Sequence, residues 1–252
     1  MTREETKMIL FMTSSPCDNN VPEGVCLPCV LNAENGFVDR LEKDWQPDSR
    51  CVIICADPDN YDRNNEMAET FQSAFQYHGL TICDMKICDS RKADEAGRMV
   101  SESDVVILGG GHVPTQNEFF QRIGLPGIIK DFDGIVIGIS AGTMNCAELV
   151  YAQPELPGES EDPEFRRFIP GLGLTELMIL PHYQKVKDCL LDGKRLYEDI
   201  TYPDSYGRRF YTLVDGSYVY VKEGKTIIFG EAGLIEDGKI RQISENGGFY
   251  EV

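Results

Sequence analysis

Short apolar runs recur through the first part of the chain: Met8 to Met12, Cys51 to Ala56 after Arg50, Leu80 to Ile87, Val105 to Leu108 after Asp104, and Ile135 to Ile139 after Gly134. A continuous apolar run of this length, bounded by polar or turn residues, reads as a strand buried on both faces. Between the runs, apolar residues fall at helical spacing: Leu27, Val30, Leu31, Phe37, Val38 and Leu41, then Met67, Ala68, Phe71, Ala74 and Phe75, then Ala93, Ala96, Met99 and Val100. Strand and helix alternate, which predicts an α/β three-layer sandwich around a mostly parallel central sheet. Ligand sites are then expected beyond the carboxyl ends of the strands.

After Tyr151 the pattern changes. Gln153 to Pro163 is acidic and proline-rich and is expected to be an exposed connection. From Thr212 onward, short alternating runs are broken by Asp215-Gly216, Glu223-Gly224 and Asp237-Gly238, predicting C-terminal antiparallel β-hairpins. With 252 residues and no linker of domain-separating length, residues 1–252 are read as one α/β domain.

Charge and cysteine content narrow the function classes. A net charge of −18 opposes sequence-independent nucleic-acid binding and means that an anionic substrate would need a local basic pocket. No apolar run approaches the roughly 20 residues of a membrane span, and none resembles a signal sequence. Nine cysteines, an odd number, fit free thiols in a reducing cytoplasm better than a disulfide framework. Cys26-Leu27-Pro28-Cys29 has metal-ligand spacing but no second pair, so neither metal nor cofactor is expected.

The strongest chemical signal is Gly138-Ile139-Ser140-Ala141-Gly142, which follows a predicted strand and opens a predicted helix from Ala141 to Val150. Small residues there permit the sharp strand-to-helix turn that exposes a nucleophilic serine. Gly109-Gly110-Gly111-His112 follows the fourth strand, and its bare backbone can approach a substrate. An amide from Gly110 or Gly111 with that of Ala141 would form an oxyanion hole. Among His78, His112 and His182, His182 is the preferred base because it ends the apolar run Leu177 to Pro181 on the same rim as Ser140. His112, on the glycine loop, is a candidate substrate contact. Asp199, Asp204, Asp215 and Glu231 are candidate acids. Asp215 lies at a strand end, where it reads equally well as a hairpin turn residue.

Together, the apolar first strand, the triple-glycine loop, Gly-x-Ser-Ala-Gly, the Pro181-His182 pair and the late hairpins resemble the peptidase E family of serine exopeptidases, which includes the cyanophycinases. That resemblance implies the class I glutamine amidotransferase-like (flavodoxin-like) fold, with Ser140 as nucleophile, His182 as base and Asp215 matching the late acid. Glu155, fifteen positions after the serine, is a second candidate acid, and Asn117 a substrate contact displaced from its usual place after the glycine loop. The substrate implied is a small peptide, a dipeptide with amino-terminal aspartate in the first instance, which would draw a cation from Arg166, Arg167, Lys185, Arg208 or Arg209. The alternatives are a binding or sensing protein without activity and a glutaminase-like amidohydrolase, whose nucleophile is normally cysteine. A homodimer is left open.

Overall fold

The computed structural model describes residues 8–18 and 20–252. Five parallel strands, β1 (Ile9–Thr13), β2 (Ser49–Ile54), β3 (Ile82–Cys88), β4 (Val105–Leu108) and β5 (Ile135–Ile139), lie in the spatial order β1-β5-β4-β2-β3. These are the five runs read from the sequence. Successive side chains of a strand leave on opposite faces. Accordingly, Val52, Ile54, Val106 and Leu108 join one core with Met99, Phe119 and Phe120, whereas Cys51, Ile53, Val105 and Ile107 join another with Phe37, Leu41, Phe71 and Phe75. Both faces of the sheet are therefore covered at β1, β5, β4 and β2, whereas β3, at the sheet's edge, carries exposed Cys83 and Asp84 and half-buried Lys86 and is not the doubly buried strand its run suggests.

The late strands divide between two sheets. After β6 (Met178–Leu180) and β7 (Arg209–Leu213), β8 (Tyr218–Lys222) runs antiparallel to β1, and β9 (Lys225–Phe229) and, at the edge, β12 (Phe249–Glu251) extend the central sheet. β6 and β7 instead combine with β10 (Ala232–Glu236) and β11 (Lys239–Ser244) in a second sheet of order β6-β7-β10-β11. Ile179 and Tyr211 of that sheet face the central sheet's core, while Leu180 and Phe210 face a third cluster with Ala141, Met144 and Tyr197. Asp215-Gly216 thus joins two different sheets and is not a hairpin turn. Glu223-Gly224 and Asp237-Gly238 do close hairpins.

Two helices are shorter than their spacing predicts. Asn35 and Gly36, both at positive φ (58° and 68°), interrupt the run before Phe37, so the helix is Phe37–Asp44 and Val30–Leu31 forms a short strand. The helix after Ser140 ends at Asn145. The backbone carbonyls of Asn145, Cys146 and Ala147 accept from Leu172, Leu174 and Gly173, so an adjoining segment takes the place of further helical turns. Helix Ala141–Asn145 sits against the sheet only because residue 142 is glycine: a Cβ there would stand 2.2 Å from the Leu108 carbonyl oxygen.

Candidate active site

Ser140 occupies the turn between β5 and helix Ala141–Asn145 with φ 50° and ψ −109°, a conformation that L-residues rarely adopt. Its backbone is pinned from both directions: its N–H donates to the Thr13 carbonyl at 3.1 Å, and its own carbonyl accepts from Met144 at 3.0 Å. Thr143 Oγ1 also donates to the Thr13 carbonyl, at 2.8 Å, while Thr13 Oγ1 donates to Gly138 O at 2.8 Å. The end of β1 therefore fixes the strained turn from one side.

His182, just past β6, also has positive φ (57°). Its Nε2 lies 2.9 Å from Ser140 Oγ and its Nδ1 2.6 Å from Asp215 Oδ1. Serine, imidazole and carboxylate are thus joined in a single chain of hydrogen bonds. Asp215 Oδ2 receives Lys185 Nζ at 2.6 Å, and Ser14 Oγ donates to Asp215 Oδ1 at 2.8 Å. Burial alone would raise the Asp215 carboxyl. The hydrogen bonds from His182, Lys185 and Ser14, with the charge of His182, overcome that and hold it well below the usual carboxylate range. The same Ser14 hydroxyl oxygen accepts the His182 backbone N–H at 2.8 Å. This fully buried serine, with one donor and spare lone pairs, therefore fixes both members of the pair.

The other candidate acids are engaged elsewhere. Asp199 pairs with Arg195 at 2.6 Å, and Asp204 accepts from Arg167 and from Tyr151 Oη. Glu231 lines a separate cavity with Tyr183 and Gln242. Glu155 lines the Ser140 pocket but is not the partner of His182 Nδ1. Desolvation pushes its carboxyl up, His112 pulls it down, and Glu159 adds to the rise.

The Ser140 pocket, of about 290 Å³, is otherwise lined by Gly111, His182 and apolar walls that include Met144, Pro154, Leu190 and Leu196. Gly110 packs on Ser140, where an added Cβ would lie 3.4 Å from Ser140 Cβ. Gly111 lines the same pocket as Ser140, and Ala141 follows Ser140 at the start of the helix. A second pocket, of about 390 Å³, lies across Gly111 and is lined by Gly110, His112, Asn64, Thr115 and Arg63, among others.

Two expectations need correction. Asn117 does not reach the cleft: its amide donates to Asn145 Oδ1 and to Pro170 O, both at 2.9 Å, in the interior. The five proposed cations also line neither pocket. Arg167 is paired with Asp204, Arg209 with Glu236 and Lys185 with Asp215, while Arg208 stacks on Phe168. Among the described residues, Arg63 is the only arginine or lysine lining either pocket, and an exposed position on helix Tyr61–Tyr77 carries no sequence mark of that. Ser14 and Glu159 were likewise missed. His112 bonds Thr115 and Glu159, each at 2.7 Å. His78 caps the end of its helix. Cys146 is fully buried, its thiol pushed up by desolvation, and it donates to Gly142 O.

Ser140, His182 and Asp215 thus stand in one hydrogen-bonded chain on the carboxyl rim of an α/β sandwich, a geometry that suits nucleophilic chemistry. The chain belongs to peptidase family S51, whose family model matches residues 58–229. A protein from Listeria monocytogenes EGD-e assigned as a peptidase E has the same fold, with a TM-score of 0.58, 16% identity, and coverage of 88% of this chain and 97% of that one. No curated protein matches the chain in sequence.

Two outcomes follow from Asp215 and its partners. A carboxyl depressed in the folded state stabilises it fully above its unfolded pKa of about 4, and the contribution is lost as pH falls through the depressed value. Asp215→Asn is therefore expected to be less stable than wild type in denaturant at neutral pH, with the gap shrinking below about pH 4. A gap that persists undiminished in acid would contradict this. Ser14→Ala removes a hydrogen bond to a charged group, worth roughly 1.5–3 kcal/mol. Steady-state kinetics should show kcat lower by about 10- to 100-fold with KM little changed, and Ser14→Thr, which keeps the hydroxyl, should recover part of it.

Proposed function

We propose that the protein is a serine peptidase of the exopeptidase type that hydrolyses small peptides, dipeptides with an amino-terminal acidic residue foremost, through an acyl-enzyme. The observation that carries this reading is the hydrogen-bonded chain Ser140 Oγ, His182 and Asp215, with distances of 2.9 and 2.6 Å, beside a strained serine turn.

In the first half-reaction Ser140 Oγ attacks the scissile carbonyl carbon as its proton passes to His182 Nε2. Asp215, kept ionised, stabilises the imidazolium through Nδ1–H. Negative charge develops on the carbonyl oxygen, which the amides of Ala141 and of Gly110 or Gly111 would hold. When the carbon–nitrogen bond breaks, His182 returns the proton to the departing amine. Water then attacks the ester, again giving its proton to His182, and the acid product leaves with Ser140 restored.

Two charges support a short, amino-terminally acidic substrate. Among the described residues, Glu155 is the one acid lining the Ser140 pocket, and it suits a terminal ammonium group. Arg63, across Gly111, suits a side-chain carboxylate in a protein whose net charge of −18 otherwise repels anions. The nine free thiols fit a reducing, cytoplasmic setting.

An Asp-X dipeptide panel tests the reading. Wild type should release free aspartate, Ser140→Ala should lose roughly 10⁴-fold or more of kcat, and Arg63→Gln should mainly raise KM for acidic substrates. Release of aspartate that is equal in wild type and Ser140→Ala, or absent from both, would overturn it.

A further inference from the structure

The segment from Gln153 to Ser160 crosses the cleft. Gln153, Pro154 and Glu155 line the Ser140 pocket, Leu156 lines the pocket beyond Gly111, and Gly111 itself belongs to both. The chain therefore passes over the glycine loop, next to the nucleophile. An acidic, proline-containing segment in a protein of charge −18 has little reason to lie against its own acidic body, so what holds it there matters.

It is locked from two sides. On the glycine-loop side, Glu159 Oε1 meets His112 Nε2 at 2.7 Å, with side-chain exposures of 14% and 20%. The other oxygen, Glu159 Oε2, accepts the N–H groups of Glu155 and Leu156 at 2.8 and 2.9 Å. On the opposite side Asp192 accepts from Gly158 N at 2.8 Å, Ser160 N at 3.2 Å and Ser160 Oγ at 2.8 Å, and Lys194 Nζ donates to Ser160 O at 2.9 Å. Asp192 stands in the turn of the small hairpin formed by Leu190–Leu191 and Lys194–Arg195, and both leucines line the Ser140 pocket. Two walls of the cleft are thereby tied to each other and to the glycine loop.

We propose that this strap sets substrate length. Held by Glu159 and Asp192, it closes the cleft beyond the scissile residue pair, so that peptides of two or three residues reach Ser140 and longer chains do not. The proposal rests on the peptidase reading above and adds the residues that impose its exopeptidase character. Neither Glu159 nor Asp192 takes part in the bond-making steps; they act through the position of the strap.

The test compares kcat/KM for Asp-Leu and for a hexapeptide with the same bond in its interior, in wild type, Glu159→Ala, Asp192→Ala and, as a control, Glu161→Ala at the exposed residue just past the strap. Wild type and the control should strongly favour the dipeptide. Glu159→Ala and Asp192→Ala, which cut independent ties, should each lower that preference by roughly tenfold, equivalent to about 1.4 kcal/mol, by raising hexapeptide cleavage. A wild type that cleaves both peptides equally well, or an unchanged preference in both variants, would overturn the proposal. Hydrogen exchange at residues 155–160 separates this from failure of the peptidase reading. If no peptide is cleaved by any form, that reading fails on its own. Amides that exchange slowly in wild type and faster in both variants then still support the closed strap, and equally fast exchange in all forms overturns it.

Discussion

The site depends on the end of β1 reaching the turn that joins the two sheets. Thr13 and Ser14 are consecutive, and between them they fix all three members of the hydrogen-bonded chain: Thr13 through its carbonyl holds the Ser140 turn, and Ser14 through one hydroxyl holds Asp215 and the His182 backbone. Neighbouring strands β5 and β8 flank β1. The chain passes from β7 into β8 through Asp215-Gly216, and Gly216 N–H donates to Ser15 O at 3.4 Å. Sheet pairing therefore sets the separation of Ser140 and Asp215 before any side chain is placed. Positive φ at both Ser140 and His182 is the local cost of aiming their side chains at one another, offset by the surrounding hydrogen bonds.

The second sheet explains how His182 arrives. β6 pairs in parallel with β7, so the chain leaves β6 at His182 on the same rim where β7 leads to Asp215. Imidazole and carboxylate come from adjacent parallel strands of one sheet, and the serine from a strand of the other. The strap between Gln153 and Ser160 lines the pocket beside Ser140, held by Glu159 to His112 and by Gly158 and Ser160 to Asp192.

Much of this was legible in the residues. The inner strands were visible because a strand covered on both faces is largely apolar, the edge strand β3 only through its apolar ends and despite Asp84 and Lys86, and the small residues around Ser140 mark the turn because only they fit there. Other parts were hidden for physical reasons. Asp215-Gly216 has the same composition whether it closes a hairpin or bridges two sheets, since both need a turn and neither constrains the partner strands. Ser14 is an ordinary serine at a strand end until Asp215 is folded against it. Arg63 is one exposed charge on a helix, and only the third dimension turns it toward the glycine loop. Asn117 misled because its distance from the glycines in sequence carries it one helical turn onward, into the interior with Asn145.

In the proposed reaction Ser140 is a nucleophile made reactive by His182. Mass mapping after treatment with a fluorophosphonate measures it directly, because the reagent phosphonylates an activated serine without needing the right substrate. The expected result is a single adduct on the peptide carrying Ser140 in wild type, forming at least about 100-fold more slowly in His182→Ala. An adduct on another serine, no adduct, or a rate indifferent to His182 would contradict it.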